Sequence, residues 1–354
     1  MKKILIDGRL LSDKPTGISR YTKEVVQALI EHYGRSNIIV LVDTKYSNIN
    51  NYKIITTRLK PYNPIHYLLF SIFIYFQEFS IYYSTFYSGI FFKAREKQQI
   101  LTVHDLMYLR IEHYFSISAF RNSLNKFLLN CIVKSGLRSS NLVISVSKTT
   151  KKDLLEYFNT DSVVIGEGVN YLNDKASATI DVIERLKIQK EKYFLYVGNF
   201  RRQKNISFLI EAFDSSHTPY QLVLVGESSF PKNKNENIIF AGILEDHEIQ
   251  YLYKNCLAFV MPSLYEGFGL PILEAYSAGA RVLSSNQGAL AEFNDLGIHY
   301  FSPFNVNELV TLLQNIERLP KPTEVEIDSA RKVYSWKNQT DQIIDSIESL
   351  INKQ

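Results

Sequence analysis

The stretch LAFVMPSLYEGFGLPILEAYSAGARVLSS, residues 257–285, sets two short apolar runs, LAFVMPS and RVLSS, on either side of a glycine-punctuated loop and a helical segment. Read as strand, loop, helix and strand, it is one crossover unit of a parallel sheet. Pro271 suits the start of the helix, because its fixed φ fits there and its missing N–H is one the helix does not use. The helix is therefore expected to start near Pro271 and run to Gly279. Glu266 then lies in the loop before it and Glu274 in its first turn.

The same rhythm extends in both directions. KILID, IIVLV, IYYS, ILTV and LVISVS in the first half, and YFLYVGN, QLVLVG, IIFAG, LAFVMPS and RVLSS in the second, alternate with longer helical patterns. That alternation predicts an α/β chain built from two successive doubly wound units. At 354 residues the chain also exceeds the size at which one core usually stops growing. In TGISRYTKEVVQALIEHYG, residues 16–34, the residues Ile18, Tyr21, Val25, Leu29 and Tyr33 recur on one helical face, and Gly34 offers a stop. SWKNQTDQIIDSIESLINKQ, residues 335–354, reads as an amphipathic helix with Ile343, Ile344, Ile347, Leu350 and Ile351 on one side.

Composition excludes several classes. Apolar residues make up 45% and charged residues 21%, too much core material for a disordered chain. The net charge of +4 is spread out, with no basic block of a nucleic-acid module. Cys131 and Cys256 lack the spacing of a metal site or redox pair and read as reduced thiols of a cytosolic protein. The opening MKKILIDGRL is too short an apolar run for a signal peptide and reads as a first buried strand.

The segment HYLLFSIFIYFQEFSIYYSTFYSGIFF, residues 66–92, is interrupted at Gln77 and Glu78, short of the roughly 20 apolar residues of a membrane span. It carries no Lys or Arg, which an in-plane membrane helix usually shows. A core helix and strand is the first reading; a membrane-dipping acceptor surface is the second.

Glycines mark the candidate ligand loops. Gly17 stands at the entry to the first helix, Gly198 after the sixth candidate strand, and Gly267 and Gly269 between a strand and a helix. In open α/β sheets ligands bind at such points, where helix N-termini present unpaired N–H groups to anions. A carboxylate beside a bound diphosphate would repel it, so Glu266 and Glu274 fit a ligand that offers hydroxyls as well. A sugar nucleotide offers both. The plain alternative is that Glu274 complements the helix dipole and Glu266 is a solvated loop charge. In GNFRRQKNISFLIEAF, residues 198–213, Arg201, Arg202 and Lys204 cluster at a strand-to-helix turn, either to hold a leaving diphosphate or as a solvated basic loop. His104 and Asp105 end a strand in ILTVHDLMYL, either meeting a substrate hydroxyl or capping the loop. Glu292 alone would pass for a surface charge. No His or Cys spacing suggests a metal.

Together these segments resemble the retaining glycosyltransferases of family 4, whose GT-B fold has two Rossmann-like domains facing a central cleft. The resemblance covers nearly the whole chain. It is carried by TGISRYTKEVVQAL, LTVHDLMYLRIEHYFS, ISVSKTTKKDLLEYF followed by VVIGEGVN, YVGNFRRQKNISFLIEAF, and LAFVMPSLYEGFGLPILEAYSAGARVLSSNQGALAEF. It implies a first, acceptor-side domain over 1–172, to which a helix over about 336–354 returns, and a nucleotide-sugar domain over 173–335.

It further implies that Glu266 contacts donor-sugar hydroxyls and Glu274 the ribose, while backbone N–H groups of Gly17 and of Gly267, Phe268, Gly269 and Leu270 meet diphosphate and sugar. Lys204 matches the family's diphosphate lysine, and His104 a position near the transferred sugar. Gly198 and Glu292 fall at substrate-binding positions. The family's frequent arginine falls at Asn199, so Arg201 or Arg202 is the candidate second cation. A small polar residue there resembles bacterial polysaccharide enzymes that use GDP-mannose, with UDP- or dTDP-sugars as other donors.

The activity so implied is metal-independent, cofactor-free transfer of a hexose, with retention, to a glycan acceptor, lipid-linked, in O-antigen, capsule or exopolysaccharide synthesis. The setting implied is cytoplasmic, with or without peripheral contact at the inner face of the plasma membrane. A nucleotide-sugar epimerase of the same architecture, or a non-catalytic sugar-nucleotide-binding partner, are the competing readings.

Overall fold

The computed structural model describes residues 2–12, 16–46, 53–92, 96–116, 118–169, 180–227 and 235–352. In chain order the first elements are β1 (Ile4–Asp7), α1 (Gly17–Tyr33), β2 (Ile38–Asp43), β3 (Lys53–Thr57), α2 (Pro64–Tyr75), β4 (Ile81–Ser84) and β5 (Gln98–Val103). Next come α3 (Met107–Arg110), α4 (Ala119–Ser139), β6 (Leu142–Ser145), α5 (Lys148–Phe158), β7 (Val163–Val164), α6 (Ile180–Leu186), β8 (Tyr193–Val197), α7 (Ile206–Ser216) and β9 (Gln221–Val225). The remainder are β10 (Ile238–Gly242), α8 (Asp246–Asn255), β11 (Ala258–Met261), α9 (Leu270–Ser277), β12 (Val282–Ser285), β13 (His299–Phe301), α10 (Val306–Gln314), α11 (Glu324–Val333) and α12 (Trp336–Asn352).

These elements form two compact units, one of Met1–Gly168 with Trp336–Gln354, the other of Val169–Ser335. The boundary read from the sequence at 172–173 lies outside the described residues.

The first unit holds a parallel sheet in the order β3-β2-β1-β4-β5-β6-β7. Alternation along β1 shows why both faces are covered. Ile4 and Ile6 join Tyr21, Val25 and Leu29 of α1 and Ile343 and Ile347 of α12, whereas Leu5 joins Phe70 and Ile74 of α2. Farther along the sheet, Leu101 and Val103 pack with Leu129, Val133 and Leu137 of α4. A strand buried on both faces needs a continuous apolar run, and ILID and IIVLVD come close to it.

The second unit repeats the plan with the parallel order β10-β9-β8-β11-β12-β13 around one continuous core. Both sheets grow outward from their first strand and then reverse, which is the doubly wound, Rossmann-like order. The reversal falls between β1 and β4 in one unit and between β8 and β11 in the other.

Three strands escape the sequence reading: β3, β7 and β13. All three are sheet edges. KIITT in β3 is only partly buried, and β7 and β13 have two and three residues, so none carries the apolar run that marks a central strand.

Residues 66–92 divide. β4 is wholly buried, and α2 buries Tyr67, Phe70, Ser71 and Ile74, but Ile65, Leu68, Leu69 and Ile72 stay exposed. The core-helix expectation therefore holds for one stripe of α2 only. Among the described residues no helix is long and apolar enough to cross a membrane.

Candidate active site

In the second unit, the reversal between β8 and β11 brings two loops together at the carboxyl ends of those strands. After β8 the chain turns through Gly198 and Asn199 into a short 3-10 turn, Arg202–Lys204, and then α7. Gly198 has φ +155°, and Gly226, at the end of the adjacent β9, has φ +142°. A Cβ on Gly226 would lie 1.9 Å from the Gly198 carbonyl oxygen, so the two turns touch only because residue 226 has no side chain. The Tyr196 hydroxyl donates to the Asn199 carbonyl at 2.7 Å, and the Arg201 N–H to the Asn199 side-chain oxygen at 3.3 Å.

The loop after β11 is fastened to this turn. The Leu264 N–H donates to the Gln203 carbonyl at 2.8 Å. Two residues on, Glu266 Oε1 accepts from Lys204 Nζ at 2.7 Å, both side chains nearly buried at 11% and 13% exposure. From the other side the Ala289 N–H donates to the Glu266 carbonyl at 3.3 Å, out of a 3-10 turn spanning Gly288–Glu292. Glu266 is thus held in place, not solvated, and the sequence alternative of a free loop charge is removed. Arg201 and Arg202 are exposed beside it, and among the described residues neither forms an ion pair.

Beyond Glu266, Gly267 is buried, Phe268 packs edge-on against Phe293 at 5.6 Å, and Gly269 takes φ +126° as the chain enters α9. A Cβ at Gly269 would lie 2.9 Å from Leu290 Cδ2. α9 begins at Leu270, one residue before the expected start, with Pro271 in its first positions. Glu274 consequently sits in the second turn, not the first as expected, which weakens the reading of it as a dipole complement. Its Oε2 accepts from the buried Tyr253 hydroxyl at 3.2 Å. α9 has no side-chain cap, whereas Thr16, Ser147, Asn305 and Thr323 cap their helices. Within its first turn Pro271 has no N–H and the Ile272 N–H donates to the Gly269 carbonyl at 3.0 Å, so the Leu270 N–H is the one left to meet an anion. Glu292 ends the 3-10 turn, half-buried next to Phe293.

In the first unit, Gly17 opens α1 behind the Thr16 cap, which accepts from the Ser19 N–H at 3.2 Å. A Cβ on Gly17 would meet nothing within 4 Å, so packing does not require glycine there. His104 is buried at the end of β5, its Nδ1 2.6 Å from Glu167 Oε1 and its Nε2 2.8 Å from the Thr85 carbonyl oxygen. A carbonyl can only accept, so Nε2 carries a proton, and the proton between Nδ1 and Glu167 completes an imidazolium–carboxylate pair. Burial alone would lower the imidazole pKa; the Glu167 hydrogen bond and charge outweigh it and hold the pKa above its ordinary value. Asp105 Oδ1 accepts from the Met107 N–H at 2.9 Å. Both ring nitrogens of His104 are thus engaged inside the unit.

Two charged residues went unread in the sequence. Glu167 is the partner of His104; its signal is a carboxylate between two glycines in IGEGVN. Arg9 is buried at the end of β1, donating to Asp7 at 2.6–3.1 Å and to the Leu59 carbonyl at 3.1 Å, with its guanidinium 3.5 Å from the Phe70 ring centre. It ties β1 to α2 and the loop before it. Among the described residues no group of three or more His, Cys, Asp or Glu could hold a metal ion.

Comparison with known proteins follows the same division. The profile of the family "Glycosyl transferases group 1" matches residues 179–333. The chain is 26% identical over 281 residues to O-antigen chain mannosyltransferase B of Escherichia coli, covering 72% of this chain and 71% of that one. It is 28% identical over 234 residues to O-antigen chain mannosyltransferase RfbU of Salmonella typhimurium, covering 63% and 62%. Among solved structures it is similar to sucrose-phosphate synthase from Thermosynechococcus elongatus, with a TM-score of 0.76 at 19% identity and full coverage of both chains. Anabaena HepE in complex with UDP and glucose gives 0.71 at 16% identity, over 99% of this chain and 100% of that one. At these identities the structural likeness concerns the fold.

Proposed function

We propose that this chain, which belongs to the group 1 glycosyl transferases, moves a hexose from a nucleoside-diphosphate sugar to a growing bacterial surface glycan. The observation that carries the reading is the Lys204–Glu266 pair at 2.7 Å, set at the sheet reversal beside the uncapped start of α9. A donor bound there replaces one protein–protein ion pair with two ligand contacts. Lys204 turns to the diphosphate, and Glu266, an acceptor-only group, receives the sugar hydroxyls. The Leu270 N–H at the start of α9 donates to a phosphate oxygen, and Glu274 accepts from the ribose hydroxyls.

The chemistry follows from where charge develops. As the anomeric bond stretches, positive charge grows on the sugar and negative charge on the departing diphosphate. Lys204, Arg201 or Arg202, and the helix start are fixed where the second of these builds, which stabilises the transition state more than the ground state. The departing phosphate takes the acceptor's proton, and transfer on the same face retains configuration. The carboxylate-distance rule of glycosidases does not apply. No step uses a metal or an organic cofactor.

The mannosyltransferase relatives favour GDP-mannose as donor and a lipid-linked O-antigen-type glycan as acceptor, at the inner face of the membrane. The test incubates the full chain with GDP-mannose, UDP-glucose, UDP-galactose and dTDP-rhamnose, with and without glycan fragments, in EDTA. Acceptor-dependent release of nucleoside diphosphate, with an α-linked product by NMR, is the expected result. Sugar interconversion without acceptor would instead make it an epimerase, and donor binding without turnover a non-catalytic partner. Lys204→Ala is expected to lower kcat by about a hundredfold. Glu274→Ala should chiefly raise the KM for donor, and unchanged donor use by a folded variant would remove the ribose contact.

A further inference from the structure

We infer that the face formed by α2 and α4 docks on an anionic lipid surface. Most of the exposed large apolar side chains among the described residues fall in residues 62–92 and 120–127. On α2 the exposed set Ile65, Leu68, Leu69, Ile72, Tyr75 and Phe76 recurs at helical steps and lies opposite the stripe that buries Phe70 and Ile74. The helix is therefore apolar all round, yet only one side of it has a partner in the unit. A helix of that kind at a protein surface has a second apolar environment to enter.

α4 packs against α2 and supplies what α2 lacks. Phe120, Leu124 and Phe127 are exposed at steps of four and three, and the same stripe continues through Lys134 and Arg138, also exposed. Across its 21 residues α4 holds four basic side chains, Arg121, Lys126, Lys134 and Arg138, and no acidic one. Arg58 and Lys60, exposed just before α2, add to the same sign. Behind the helix, Lys97 donates to the carbonyls of Tyr75 and Gln77 at 2.9 and 2.7 Å and fixes the C-terminal end of α2.

Tyr75, Phe91 and Phe92 cluster at that end, with ring centres 6.1–6.2 Å apart. Apolar side chains ringed by cations and aromatic residues are the composition of an in-plane membrane contact. The objection raised by sequence, that residues 62–92 contain no Lys or Arg, is met by the neighbouring helix. A soluble protein partner would be favoured by mixed charges, and a second copy of this chain would place like charges opposite one another.

This deepens the reading of a lipid-linked acceptor but is tested without any sugar transfer. The full chain is floated with vesicles of phosphatidylglycerol and phosphatidylethanolamine, and separately with phosphatidylcholine alone. Two variants accompany it, Leu68→Glu with Phe127→Glu, and Lys134→Glu with Arg138→Glu; all four side chains are exposed, and equal thermal unfolding confirms the fold. The parent is expected to float with the anionic vesicles and not with the neutral ones. The basic pair should lower the bound fraction at low salt by roughly tenfold, and the apolar pair should abolish binding at low and high salt alike.

Failure of the parent to float with anionic vesicles overturns the inference, and so does an apolar variant that floats like the parent. A parent dimer that the apolar variant converts to monomer would overturn it in favour of self-association. Flotation of a parent that releases no nucleoside diphosphate would remove the proposed reaction and leave this surface standing.

Discussion

Lys204 and Glu266 stand 62 positions apart in sequence, and each limits what the other can do. Removing one partner of a nearly buried ion pair leaves the other desolvated and unmatched. Lys204→Met and Glu266→Gln are each expected to lower the stability of the second unit by about 1–3 kcal/mol. The double variant should cost less than their sum, as read from urea unfolding of all four proteins; strictly additive losses would mean the pair contributes nothing. His104 gives a pH-dependent counterpart. Its folded pKa lies above the unfolded value of about 6.5, so its stabilisation is complete below that pH and is lost as pH rises through the raised folded value. Stability of the first unit should therefore fall between neutral and alkaline pH, and His104→Gln should lack that part of the slope. Neither pairing was legible in the sequence. Each joins residues more than sixty positions apart, and no local pattern reports on which loop meets which.

At the level of elements, glycines prove to differ physically. Gly17 opens α1 with open space at its Cβ position, whereas Gly226 directly follows β9 and has the Gly198 carbonyl oxygen 1.9 Å from its Cβ position. Gly226→Ala should cost more than about 3 kcal/mol or prevent folding. Gly17→Ala should leave unfolding within about 0.5 kcal/mol of the parent while raising the KM for donor or acceptor. A Gly17→Ala enzyme with parental kinetics would take Gly17 out of the binding site. The central strands and the helices α1, α9 and α12 were readable because burial on a defined face imposes a pattern on their residues. β3, β7 and β13 were not, since an edge strand is only half-covered and the demand on its sequence is weaker. α9 shows the finer limit: a start displaced by one residue moved Glu274 from one turn to the next.

At the scale of the whole molecule, the two sheets share the order of their first six strands, but their chains are arranged differently. The second unit is a single continuous stretch; the first is completed by α12, from the far end of the sequence. Trp336 meets Tyr21 with ring centres 5.9 Å apart, and Ile343, Ile344 and Ile347 are buried with α1. Burying each such side chain is worth about 1.5–3 kcal/mol, so their sum rivals the total stability of a domain, about 5–15 kcal/mol. A chain ending at Ser335 should therefore lose hydrogen-exchange protection in β1, β2 and α1 and keep it in β8 and β11. Undiminished protection in β1 would show that α12 is dispensable. The same arrangement bears on how the protein is made. A ribosome releases residues 1–168 first, yet the layer that seals them emerges only after the whole second unit, roughly 10–30 s later. The half translated later can close before the half translated earlier, whose open flank is left for a chaperone to guard.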